Sequence, residues 1–221
     1  MELDKLYSNR FSEEERRQKL KMWQVLCDRF FSRYIGKNDD ILDPAAGYCE
    51  FINCIHPDGK GKRIACDLNP DTVSFAREGV ETHICSAESL DFLENESVDT
   101  VYVSNFFEHI KDKEMIIKIL QEFNRVLRKG GTLLLMHPNI RYAYREYWDF
   151  FDHHTALSDK SMVEALNIAG GYKVEKIVPQ FMPYTTKSKI PMFPFLVRLY
   201  LHMPLVWRIM GKQMFIVAKK V

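Results

Sequence analysis

The stretch ILDPAAGYCEF, residues 41–51, holds a short apolar run, an acid at Asp43 and a single glycine at Gly47 before a helical segment begins. A strand ending in an acid and a glycine turn belongs at the carboxyl edge of an open α/β sheet, where such sheets bind ligands. Backbone N–H groups in that turn suit negative or polar ligand groups, and glycine lets them approach closely. Twenty residues after Gly47, a second apolar run ends in Asp67, within ACDLNP (65–70). An acid at that place and distance suits a ribose diol. A pyrophosphate-binding turn would need glycines where Ala45 and its neighbours stand, so the pattern favours a ligand without pyrophosphate. The purely structural reading makes Asp43 a cap of the following turn and Asp67 a cap of the helix beginning near Pro70.

Outward from this stretch the chain alternates. β-type runs fall at 40–43, 63–67, 82–86, 100–104, 132–137, 173–178 and 214–219, with helical stretches at 70–78, 112–130 and 159–170 between them. A leading helix precedes them within residues 12–35. Ser12 and Glu15 have capping-box spacing, and Leu20, Trp23, Leu26, Cys27, Phe30 and Phe31 form one apolar face. Strands alternating with helices imply an α/β fold, a mainly parallel sheet covered on both faces. About 35 residues without a clear crossover helix separate the last two strands, so the final strand is expected to enter antiparallel.

The 221 residues, 46% hydrophobic and 28% charged, suit a single domain over 1–221. It divides into an N-terminal helix (1–37), a ligand-binding core (38–178) and an acceptor-side segment with the final strand (179–221). A formal net charge of +1 provides no field for nucleic acid. The five cysteines are scattered and form no C-x-x-C pair, which reads as reduced thiols. The first residues carry no apolar signal core, and no apolar run reaches the ~18 residues of a spanning helix, so a cytoplasmic protein is expected.

The series ILDPAAG, ACDLNP, CSAESLDF, VDTVYVSNFFEHI and VLRKGGTLLL resembles the successive motifs of class I S-adenosylmethionine-dependent methyltransferases of the small-molecule type, over roughly residues 38–178. The resemblance implies a Rossmann-like sheet of seven strands, mainly parallel, with helices on both faces and the last strand antiparallel. It implies S-adenosylmethionine as cofactor. Asp43 and the backbone from Ala45 to Gly47 would face its methionine end, and Asp67, with Leu68 beside it, the ribose. Ser86 and Ala87 would border the adenine, and Asn105 and Phe106 both cofactor and acceptor. Two glycines usual in the family's turn are replaced here by Ala45 and Cys49, and an adenine-binding Asp by Ser86.

DPAAG also resembles the turn of amino-directed DNA methyltransferases, but SNFFEH lacks the paired prolines and following aromatic of their acceptor motif. The implied reaction is therefore methyl transfer to a hydroxyl oxygen of a small-molecule or glycan acceptor, with nucleic-acid N-methylation as the alternative. A non-catalytic partner protein of the same fold is the other rival. For the acceptor's proton, histidine is the expected base. The segment at 138–158 resembles that of glycan-cluster methyltransferases, which puts His154 and His153 first, with His109 third. Packed or surface histidines are the plain reading of each. No metal ion is expected, because Glu108 is the lone acid in SNFFEHI and MHPNIRY has none; activity should then survive a chelator.

The segment at 181–210 is apolar, carries four prolines and cannot be one regular helix. It is expected to close the acceptor side of the pocket through Tyr200 and Trp207. Its charges, Lys187, Lys189, Arg198 and Arg208, are all basic, so peripheral contact with an anionic membrane is the alternative. The chain is expected to be a monomer or homodimer.

Overall fold

The computed structural model describes residues 13–184 and 193–221; the expected capping box at Ser12 and the lysines Lys187 and Lys189 lie outside them. The leading helix α1 covers Glu13–Arg29. Then follow β1 (Ile41–Asp43), α2 (Glu50–Cys54), β2 (Arg63–Asp67), α3 (Thr72–Phe75), β3 (Val80–Ile84), β4 (Val98–Ser104), α4 (Lys113–Val126) and β5 (Leu127–Pro138). The chain continues through α5 (Ile140–Ala143), α6 (Asp159–Ala169), β6 (Tyr172–Val178), α7 (Pro194–Leu201), α8 (Pro204–Met210) and β7 (Gln213–Lys220).

The seven strands form one sheet in the order β3-β2-β1-β4-β5-β7-β6. Only β7 runs antiparallel, inserted between β5 and β6. The expected architecture is therefore observed. The order reverses between β1 and β4, where the carboxyl ends of an open sheet leave a ligand crevice.

Strand periodicity divides the core into two layers. Ile41, Tyr102, Leu134, Met136 and Phe215 face one side, where α1, α2 and α7 cover them. Leu42, Val101, Val103, Leu133, Leu135 and Ile216 face the other, under α4 and α6. Each alternate residue changes face because the side-chain period of a strand is two. Asp112 caps α4 by accepting the Met115 N–H, and Ser158 with Ser161 forms a capping box on α6.

Two elements depart from the sequence reading. β5 begins at Leu127 rather than Thr132, since Gly130 at φ +73 lets Arg128–Gly131 turn and rejoin β4 across a register shift. The tail is two short helices: Pro194 and Pro204, which preclude one long helix, each stand in a first turn where no N–H is needed. Among the described residues no helix is long and apolar enough to cross a membrane.

Candidate functional site

β1 ends in Asp43, which is buried and accepts its hydrogen bond from the Ala45 backbone N–H. Burial, and then the nearby charge of Asp67, push its carboxyl well above the usual range. The turn that follows is left-handed at Gly47 (φ +50) and again at Cys49 (φ 57). Cys49 thus keeps the backbone shape that a glycine would give. Burial, followed by the charge of Asp43, pushes its thiol up to about 12, so it stays protonated and donates to the Thr72 carbonyl at 3.6 Å.

Asp67, at the end of β2, pins this turn. Its Oδ2 accepts the Gly47 N–H at 2.7 Å and its Oδ1 accepts the Asn69 N–H at 2.9 Å. Thr72, at the start of α3, donates its hydroxyl to the Gly47 carbonyl at 2.9 Å. Each carboxylate oxygen has a second acceptor position, so two hydroxyls of a ligand can still be taken. A Cβ on Gly47 would meet nothing within 4 Å: the turn borders open space. Leu68 (69% exposed) and Ile84 (50% exposed) present apolar surface beside it. Acid, open backbone and apolar flank together fit a nucleoside-bearing ligand.

The adenine-side residues follow β3. Ser86 exchanges hydrogen bonds with Glu88 (3.1 Å to its carboxylate), and Ala87 is buried. The cysteines correct an expectation here, for Cys66 and Cys85 are joined as a disulfide and are not reduced thiols. Cys66 lies on β2, and Cys85 directly follows β3, its parallel partner. Parallel pairing brings residues 19 apart side by side, which sequence spacing conceals. Cys27, Cys49 and Cys54 remain free and buried.

The turn after β4 opens with Asn105, exposed and at φ 47, and Phe106, half-buried, then winds one 3₁₀ turn over Phe107–His109. Glu108 is fully buried against His137 of β5, with Oε2 and Nδ1 at 3.1 Å. Burial, the largest effect, raises its carboxyl, but the charge and hydrogen bond of His137 together with the charge of His109 outweigh that and leave it below the usual range. The Glu108 carbonyl accepts both the His154 N–H (2.7 Å) and the Thr155 N–H (3.2 Å). Thr155 adds a hydroxyl bond to the Ile110 carbonyl at 2.6 Å. These bonds staple the segment after α5 onto the β4 turn.

His153 and His109 thereby become neighbours, their rings 5.2 Å apart. His109 Nδ1 faces the Asp152 carbonyl at 3.0 Å and its carboxylate at 3.4 Å. His153 stacks on Phe150, and its Nε2 lies 3.3 Å from the Tyr184 hydroxyl. Burial, more than the other charges around it, moves the His153 pKa down. His154 is exposed and joins the staple through its backbone. Of the three candidate histidines, two are gathered and one is not. Tyr184 and Glu108 complete the cluster, and neither stood out in the sequence as a site residue.

Tyr200 and Trp207, expected on the acceptor side, make their contacts with Phe30, Phe181 and each other. Tyr200 donates its hydroxyl to the Phe181 carbonyl, and Trp207 packs edge-on against Phe30 and Phe181 while donating to the Tyr200 carbonyl at 2.7 Å. Both rings are half-buried and pack against the layer over α1.

Residues 42–135 match the family of methyltransferase domains. No curated protein matches the chain in sequence. Among solved structures, it is similar to an S-adenosylmethionine-dependent methyltransferase from Archaeoglobus fulgidus: 18% identity, TM-score 0.64, covering 89% of this chain and 94% of that one. It is also similar to a geranyl diphosphate methyltransferase in complex with S-adenosylmethionine: 17% identity, TM-score 0.64, 96% and 92% covered. A cyclase shares the architecture as well, at 15% identity and TM-score 0.65, with 89% and 80% covered. At such identities likeness of structure establishes the fold, and one fold hosts several chemistries. The family match is more specific, because over residues 42–135 it spans both strand-end acids and the turn after β4, so this part of the chain is similar to methyltransferase domains.

Proposed function

We propose that the protein transfers a methyl group from S-adenosylmethionine to a hydroxyl oxygen of a small-molecule or glycan acceptor. The observation that carries this reading is the gathering of Glu108, His109 and His153 at the carboxyl edge of β4, the strand beside β1 and its turn. A hydroxyl must lose its proton as its oxygen bonds carbon, and imidazoles at the acceptor side suit that demand.

The sulfonium supplies both the reactive methyl and the leaving group. The chain's own task is to bind, align and exclude water. In this reading Asp67 and Leu68 hold the ribose end, Asp43 and the Ala45–Gly47 backbone the methionine end, and Ser86 and Ala87 the adenine. Asn105 and Phe106 separate cofactor from acceptor. His109 and His153 serve the acceptor hydroxyl, and the exposed His154 is left to guide its approach. A near-neutral chain with no basic stripe argues against nucleic acid. The test is a mass-spectrometric screen of hydroxylated small molecules and glycans for products heavier by one methyl group. Methyl found only on nitrogen would overturn the assignment.

A second reading concerns where the enzyme works. The outer face of α7 and α8 exposes Phe195 (68%), Leu205 (75%) and Ile209 (82%), and the charges in this stretch are Arg198, Arg208 and Lys212, with no acid. Such a face suits the interface of an anionic bilayer. β6 ends and β7 begins at the carboxyl edge of the sheet, so the same segment adjoins the acceptor side. A lipid-linked acceptor would then be met at the membrane. Sedimentation with anionic vesicles tests this; a stable homodimer burying the face would replace it.

A further inference from the structure

We propose that Glu108, His109 and His153 form a binding site for a divalent transition-metal ion at the acceptor edge. The expectation of no metal rested on the scarcity of acids after β4 and β5; folding supplies imidazoles instead. One carboxylate oxygen and two ring nitrogens lie within 4.8 Å of one another. Ions of this class hold nitrogen and oxygen ligands at about 2.0–2.2 Å, so small rotations of these side chains bring all three into range.

Three features distinguish the cluster from a chance meeting of polar groups. Each histidine is held through one ring nitrogen, leaving the other to coordinate. His109 Nδ1 is engaged by Asp152 at 3.0 Å, and His153 Nε2 by Tyr184 at 3.3 Å. Outer contacts of this kind set the tautomer and aim of metal-binding imidazoles. Next, His153 Nδ1 is buried without a hydrogen-bond partner, although buried polar atoms ordinarily have one, and the ion pair with His137 through Oε2 keeps the Glu108 carboxylate charged and fixed beside it. Finally, the two loops that carry the ligands are tied together by the Glu108 carbonyl, which accepts from His154 and Thr155.

Two imidazoles and one carboxylate suit zinc, manganese, iron or cobalt, whereas magnesium and calcium prefer oxygen alone. Three protein ligands leave coordination positions open, as catalytic sites do and closed structural sites do not. The side chain of His109 is 24% exposed, so the cluster is reachable from solvent. The ion's task, though not its binding, rests on the methyl-transfer reading. With both imidazoles serving as its ligands, the ion would take over their part toward the acceptor: it would bind the hydroxyl oxygen and ease loss of the proton to water. The oxygen's electron pair then forms the new C–O bond, and the pair of the broken C–S bond stays on sulfur and neutralises it.

The experiment is a titration of chelator-treated, full-length protein with Co²⁺, read by visible absorption and by equilibrium dialysis, and repeated with Zn²⁺. One ion per chain is expected, with affinity reduced at least ~10-fold in His109→Ala and in His153→Ala, and unchanged in His83→Ala, a histidine on β3. Circular dichroism checks that the variants fold, and calorimetry of S-adenosylmethionine is run on the same samples. Cofactor binding without stoichiometric metal binding would overturn the metal site alone. So would equal metal affinity in wild type and both variants. Metal binding without cofactor binding would leave the site standing and count against the methyl-transfer reading.

Discussion

Replacing Asp67 by Ala should weaken S-adenosylmethionine binding and also cost stability, because the same carboxylate has two duties. In the free protein it accepts the N–H groups of Gly47 at 2.7 Å and Asn69 at 2.9 Å. A hydrogen bond to a charged group contributes about 1.5–3 kcal/mol when protected. This site is half open, and both freed N–H groups can turn to water, so the pair together should be worth only ~2 kcal/mol. For a domain of this size that corresponds to a fall of about 4–8 °C in Tm. Loss of the ribose contact adds about 1.5–3 kcal/mol to binding alone, or roughly 10- to 150-fold in Kd. Asp67→Asn separates the two duties, since its one carbonyl oxygen can still hold a turn N–H: it should recover much of the Tm and little of the affinity. Calorimetry and differential scanning on both variants make the test. A lowered Tm with unchanged Kd would reduce Asp67 to a turn pin and refute its role in cofactor binding.

Further outcomes follow from other contacts. Trp207→Ala should destabilise the fold by ~2–3 kcal/mol in denaturant titration, less than a fully buried tryptophan would, and leave the preferred acceptor unchanged. The Arg125 hydrogen bonds, against a smaller effect of burial, hold the Glu122 carboxyl below its usual range. With the folded pKa below the unfolded one, that contribution is whole above the ordinary glutamate value of 4.5 and is lost as pH falls further. Glu122→Gln should therefore narrow the gap in stability between pH 7 and pH 3, and an unchanged gap would count against the pair. Leu205→Ser with Ile209→Ser should abolish sedimentation with anionic vesicles while Tm stays within about 2 °C, since both side chains are exposed.

Much of the sheet could be read along the chain because its signals are local. Near-continuous apolar runs in β4 and β5, buried on both faces, and acids placed where strands stop, record a central strand and an edge of the sheet within a few residues. That is why Asp43, Gly47 and Asp67 were identifiable as one constellation, and why an antiparallel final strand could be expected from a connection lacking a crossover. Asp67's grip on Gly47 is a different matter, being set by the parallel pairing of β1 with β2.

What lies across the sheet or across loops came only with folding. Cys66 meets Cys85 because β2 and β3 run side by side, and nothing local to either cysteine says so. His109 and His153 become neighbours through hydrogen bonds to a backbone carbonyl, a group that every residue carries and no sequence advertises. The aromaticity of Tyr200 and Trp207 suits a pocket and a core alike, and only the fold shows which rings they meet, Trp207 beside Phe30 and Tyr200 bonded to the Phe181 carbonyl. Periodicity states that a side chain must be buried; only the tertiary structure supplies the surface that buries it, because that surface comes from a distant part of the chain that the residues around the side chain do not specify.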